Sequence, residues 1–161
     1  MLKTKTVKVE IGDGENVVFG QSHFIKTVED LYEALVTASP TIKFGIAFCE
    51  ASGKRLVRHD GNDPALIEKA AKAAFDIGCG HTFIIYMKDG FPVNVLNRIK
   101  EIQEVCRVFC ATANPLQVIV MESSQGRGVM AVIDGEPPVG IETAEDQTER
   151  REFLRKIRYK R

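Results

Sequence analysis

The chain has 161 residues, which suits one domain with a sizeable core. Lys plus Arg and Asp plus Glu both number 22, a formal net charge of zero, which argues against broad electrostatic capture of nucleic acid or anionic membrane. Apolar residues at 44% and charged residues at 27% exclude a disordered chain, and no apolar run reaches the ~18 residues of a membrane-spanning helix.

The first segment, Thr4–Ile11, alternates Thr and Lys with Val and Ile, the pattern of a half-buried strand. It is followed by the turn residues Gly12-Asp13-Gly14-Glu15-Asn16 and by Val17–Gly20, so residues 4–20 read as a hairpin. Thr27, with Asp30 three residues on, reads as the cap of a helix over Val28 to about Ala38 that buries Val28, Leu31 and Leu35. Met1–Lys8 alternates and lacks the apolar core of a signal peptide, so a cytoplasmic protein is expected.

Lys43–Glu50 is a nearly continuous apolar run, as in a strand buried on both faces. Ala51–Asp63 reads as a long polar loop, a place where function often resides. Asp63 and Pro64 open an Ala-rich helix over Ala65–Ile77, and Gly78 stops it. Gly80–Lys88 is the next buried strand, and a helix follows from about Val93 to Val105. Arg107–Thr112, Leu116–Glu122 and Gly128–Ile133 read as strands, and a basic helical tail begins near Ala144. The order ββαβαβαβββα predicts a compact α/β domain over residues 1–161. Its mixed sheet would be covered by helices, with antiparallel hairpins at its ends. The exposed sheet edges need cover, and a homo-oligomer is expected to supply it.

Cys49, Cys79, Cys106 and Cys110 lie in or beside apolar runs without any Cys-x-x-Cys spacing, so they read as reduced structural thiols rather than as a metal site. The basic run in Glu149–Arg161 reads first as a solvated helix face.

Polar signatures close the apolar runs. His81 opens a strand directly after Gly78-Cys79-Gly80, where an imidazole can act as a base or accept a phosphoryl group; the plainer reading is a histidine bonded at the core edge. His59 sits in a polar loop, and His23 has no evident partner. Gly61-Asn62-Asp63-Pro64 begins a helix whose free N–H groups favour phosphate, although Asp63 serves equally as an ordinary cap. Asn94, Asn97 and Lys100 share a helix face that suits a polar ligand or, equally, solvent. Asn114 precedes a proline in a turn, and its amide also matches an adenine edge. Arg127, between Gly126 and Gly128, offers a fork for phosphate beside backbone that a ligand can approach. The phosphate loop Gly-x-x-x-x-Gly-Lys and the dinucleotide fingerprint Gly-x-Gly-x-x-Gly are both absent, so neither of those nucleotide-binding modes applies.

Taken together, several strings resemble one family. They are Phe44-Gly45-Ile46-Ala47-Phe48-Cys49-Glu50-Ala51-Ser52-Gly53, Gly61-Asn62-Asp63, Gly80-His81, Pro92-Val93-Asn94-Val95-Leu96-Asn97, Cys110-Ala111-Thr112-Ala113-Asn114-Pro115 and Gly126-Arg127-Gly128. They span nearly the whole chain, in order, and the chain resembles the adenosine-specific kinases, small archaeal and bacterial proteins. The resemblance implies a compact α/β protein that binds adenosine and AMP in preference to ADP or ATP, and a histidine that holds a phosphoryl group. That role falls on His81, with His59 as the fallback. It further implies base and ribose contacts at Asn94, Asn97 and Asn114, with phosphate near His81 and Arg127. Lys100 assists Arg127, and Glu50, Asn62, Asp63, Gly126 and Gly128 complete the expected ligand set. No dedicated metal ligands are expected; a transient Mg2+ would fall to Glu50, Asp60 or Asp63. The alternative is an adenosine or AMP sensor without turnover.

Overall fold

The computed structural model describes all 161 residues. Twelve elements follow one another as β1 (Lys3–Val9), β2 (Asn16–Ser22), α1 (Thr27–Ala38), β3 (Lys43–Cys49), β4 (Val57–Gly61), α2 (Pro64–Ile77), β5 (Thr82–Lys88), α3 (Pro92–Lys100), β6 (Val105–Thr112), β7 (Leu116–Glu122), β8 (Arg127–Asp134) and α4 (Ala144–Lys156). The α/β expectation holds, but the strands form two antiparallel sheets rather than one mixed sheet. One runs β4-β3-β5-β2-β6 and the other β1-β7-β8.

The βαβ-like alternation does produce crossovers, and each skips one position. Antiparallel pairing makes strand direction alternate across the large sheet. The strands joined by α1 (β2 and β3), by α2 (β4 and β5) and by α3 (β5 and β6) therefore run the same way with one strand inserted between them. A connection through a helix is long enough to leave that gap, and an insertion there turns a parallel pair into two antiparallel ladders.

The expected hairpin over residues 4–20 does not form. β1 pairs with β7, while β2 lies between β5 and β6. The reason is burial: Val17, Val18 and Phe19 are apolar on both faces and need a central position, whereas β1 buries only Val7 and Val9 and suits an edge. The long polar loop contains β4, whose Arg58-His59-Asp60 carries no apolar signature and is held in register by β3. Helix α3 ends at Lys100 rather than near Val105, because Ile102 and Val105 close a turn that leads into β6. Thr27 does not cap α1 either. Its hydroxyl lies against Ser22 Oγ, at 2.7 Å, and the Phe24 carbonyl.

The large sheet is the middle of three layers. Val18, Phe44, Ile46, Phe48, Phe83 and Ile85 pack on one side against Val28, Leu31 and Leu35 of α1 and Val95 and Ile99 of α3. Val17, Phe19, Ala47, Ile84 and Tyr86 pack on the other against α2 and the small sheet, through Leu66, Ala70, Ala74, Val118 and Val120. Gly45 lets α2 approach β3: a Cβ there would stand 2.2 Å from the Leu66 carbonyl carbon and the Ile67 nitrogen.

Candidate functional site

Antiparallel pairing decides which sequence signals meet. The end of β3 (Cys49), the start of β4 (Val57), the start of β5 and the β7–β8 hairpin lie at one end of the sheets. The start of β3, the end of β5 and the turn after β6 lie at the other. Seven-residue β5 separates the two ends by roughly 20 Å of strand.

Glu50, Gly126 and Arg127 come together at the first end, in a cavity of about 420 Å³ that Gly78, Gly80 and Arg55 also line. Its apolar wall is made by Leu56, Val57, Ala74 and Phe75, and Phe75 is 75% exposed at the mouth. This volume lies within the range of small-molecule pockets. Arg127 donates through Nε to Glu122 Oε2 at 2.7 Å and through Nη1 to the Asp76 carbonyl at 3.2 Å, which fixes its guanidinium over the end of α2. Gly78 ends α2 in the left-handed conformation, φ 62°, and a Cβ there would meet Arg127 Nη1 at 3.1 Å. Glu50 accepts from the Leu56 N–H at 3.1 Å and from Arg58 at 3.1 and 3.3 Å. The Leu56 N–H first, and then Arg58, hold its carboxyl below the usual range. Beneath the cavity, burial and then the neighbouring Cys49 push the Cys79 thiol up to about 11, against the opposing charge of Arg127.

His81 follows Gly80 at the same end. Its N–H donates to the Cys49 carbonyl at 2.8 Å, its carbonyl accepts from Ser22, and its φ is 62°, in the left-handed region. The ring stacks on Phe48, with centroids 5.7 Å apart and planes 21° apart. Phe48 belongs to the α1/α3 side of the sheet, whereas Arg127 lies on the α2 side. His81 therefore stands at the rim of the cavity rather than inside it.

The remaining expected residues are elsewhere. Asn62 bridges β3, accepting from the Phe44 N–H and donating to the Ile42 carbonyl, both at 2.8 Å. Asp63 caps α2 by accepting from the Leu66 N–H at 3.1 Å. Asn94 accepts from the Phe91 N–H at 2.9 Å at the start of α3, and Asn97 and Lys100 are exposed further along that helix. Asn114 donates to Asp134 at 3.2 Å, in the turn that joins the two sheets. Gly128 pairs with Met121 in the hairpin, outside the cavity lining. Glu50, Asp60 and Asp63 do not converge: Glu50 is held by Arg58, and Asp63 caps a helix at the opposite end of β4. They do not fit a shared Mg2+.

The sequence reading missed Arg55 and Phe75. Arg55 had a usable signal in the loop Ser52-Gly53-Lys54-Arg55, a cationic tip directly after Glu50. Phe75 had none, since an aromatic residue in an Ala-rich helix reads as core.

The fold and cavity thus define a three-layer α/β protein with a small, partly cationic pocket at one end of its central sheet. The chain belongs to the family described as adenosine specific kinase, whose model matches residues 7–160. Among solved structures it is similar to the PH1918 protein from Pyrococcus horikoshii OT3, 48% identical, with a TM-score of 0.96 over 100% of this chain and 99% of that one. An arm the length of residues 136–161 lying elsewhere would cost about a sixth of that score, so α4 and its linker take the same course in that crystal. No curated protein shows a significant match.

Proposed function

We propose that the chain binds adenosine or AMP in the cavity at the His81 end and accepts a phosphoryl group on His81. The observation that carries the reading is the pairing of an apolar wall, with Phe75 open at its mouth, and two arginines, Arg55 and Arg127, in one pocket next to a histidine held at φ 62°. Phe75 and Leu56 offer a platform for the flat base, and the arginines offer charge to the phosphate. Neither ring nitrogen of His81 is engaged by another protein group. A nitrogen lone pair is thus free to form a P–N bond while the donor's P–O bond breaks and its oxygen leaves with the electron pair. The donor is a phosphate ester or anhydride. Backbone strain at a reactive residue is maintained only where the surroundings over-determine it. Here the Cys49 carbonyl, Ser22 and Phe48 do so. Asn94, Asn97 and Asn114 of the same chain stand too far off to share this pocket, so the base contacts fall to the cavity wall.

The test is calorimetric titration with adenosine, AMP, ADP and ATP, together with intact-mass analysis of the same sample. Expected are binding of adenosine and AMP, with AMP weakened at least tenfold in Arg127→Ala and adenosine changed far less, and a phosphoryl adduct that His81→Ala lacks. An adduct that survives in His81→Ala overturns the histidine assignment. AMP binding that is unchanged in Arg127→Ala overturns the pocket. The placement of His81 and Arg127 on opposite faces of the sheet favours a second reading, a sensor that binds AMP without turnover. AMP binding without any adduct decides for it.

A further inference from the structure

Residues 136–161 form an arm that belongs to no layer of the protein. Helix α4 has no buried residue, and the side-chain hydrogen bonds of residues 142–161 all stay within that segment. Ahead of it, Val139 and Ile141 are fully open, at 108% and 95% exposure, and Phe153 and Tyr159 stand in solvent beyond. An isolated 13-residue helix is marginal in water. This one nonetheless carries an encoded start, the reciprocal Thr143–Asp146 capping box. It also follows the same course in the crystal of a 48% identical relative. A segment with a defined course and nothing of its own chain to rest on is held by something else.

The small sheet offers a matching surface. Val118, Val120 and Val132 point inward from β7 and β8, so Ile119, Met121, Ala131 and Ile133 face outward, and no helix covers them. Met130, at the bulge opposite Ile119 and Val120, adds to this face at 57% exposure.

We propose that the arm of one chain packs on the outer face of the small sheet of a second copy, the two arms being exchanged reciprocally. Area favours this occupant. The exposed parts of Val139, Ile141, Phe153, Ile157 and Tyr159 bring roughly 600 Å² per arm, and the sheet face beneath loses a similar area, so one docked arm reaches the lower edge of a standard interface. Two exchanged arms double it, which places the contact among stable dimers. Pro137 and Pro138 lack N–H donors, so the linker docks through side chains rather than as a further strand.

The experiment is sedimentation equilibrium on full-length chains. Wild type is expected at twice the chain mass or more. Val139→Asp with Ile141→Asp removes the donor, and Ile133→Asp removes the acceptor. All three positions are exposed in the protomer, so an unchanged circular dichroism spectrum reports intact folding. Each variant alone is expected to fall to half the wild-type mass or less. Mixed in equal amounts, the two are expected to reassociate, because one intact arm then meets one intact face. A monomeric wild type, a variant that keeps the wild-type mass, or a mixture that fails to reassociate overturns the proposal. Adenosine binding is not its readout, so it stands or falls apart from the function proposed above.

Discussion

The His81 ring lies on Phe48, 21° from parallel with centroids 5.7 Å apart, while the His81 backbone is left-handed at φ 62°. The stack fixes the ring, and the strained backbone turns it out at the mouth of β5. For any residue with a Cβ this conformation costs about 1–2 kcal/mol, and glycine escapes it.

His81→Gly is therefore expected to be more stable than His81→Ala by about 1 kcal/mol, although both lose the stack on Phe48. Urea denaturation of the two variants measures the difference. Equal stabilities would mean that the left-handed backbone carries no strain worth relieving.

Gly45→Ala is expected to be among the most damaging single changes. The new Cβ would stand 2.2 Å from backbone atoms of α2, which no side-chain rotation relieves. A loss of about 3 kcal/mol is expected, at the upper end for overpacking. Thermal unfolding should show it as a fall of roughly 6–12 °C for a chain of this size.

Glu15 is buried at the end opposite the cavity, 2.7 and 2.8 Å from Lys69, with Lys88 at 3.6 Å and the Gly12 N–H at 2.8 Å. Burial pushes its carboxyl up, but the hydrogen bonds from Lys69 and Gly12 and the charges of Lys69 and Lys88 outweigh this and hold it below its ordinary value. A depressed carboxylate stabilises the fold above its unfolded pKa of roughly 4.3, and that stability is lost as the pH falls through the lower folded value. Glu15→Gln should cost about 2 kcal/mol at pH 7, with the gap to wild type narrowing below about pH 4. Denaturant midpoints of both proteins across pH 3–7 test the sign. A gap that widens on acidification would reverse it.

Thiol reactivity should single out Cys106, the one exposed cysteine. Burial raises the Cys49 thiol and pushes those of Cys79 and Cys110 up to about 11. In the native protein near pH 8, one thiol per chain is expected to react rapidly with an alkylating reagent, and the others on unfolding. Mass spectrometry of the labelled peptides identifies it; fast labelling of Cys79 would contradict its burial.

Local order was legible in the sequence wherever one residue decides it. Asp63, Pro64 and Gly78 fix the ends of α2, as their chemistry requires. The two-faced apolar runs of β3 and β5 mark the centre of the large sheet. The family strings identified the adenosine specific kinase family from residues alone, and the family match over residues 7–160 bears that out. Pairing was not legible. β1 and β2 are adjacent in sequence and look like a hairpin, yet the apolar content of β2 places it centrally and leaves β1 to β7. Strand pairing is a contest between distant segments for burial, and a local pattern does not register the competitors.

The same holds for the candidate site. Residue type alone marked His81 and Arg127, because an imidazole and a guanidinium beside glycines have chemistry wherever they fall, and the family strings added Glu50. Only the antiparallel tertiary arrangement decided which of them meet. It brought Glu50, Arg55, Phe75 and Arg127 to one cavity with His81 at its rim, and left Asn62, Asp63 and Asn94 to hold backbone, and Asn114 to bond the Asp134 carboxylate, at the other end. The physical reason is strand direction. With β3 and β5 antiparallel, the end of one meets the start of the other, so Glu50 lies near His81, whereas Asn94 follows the far end of β5.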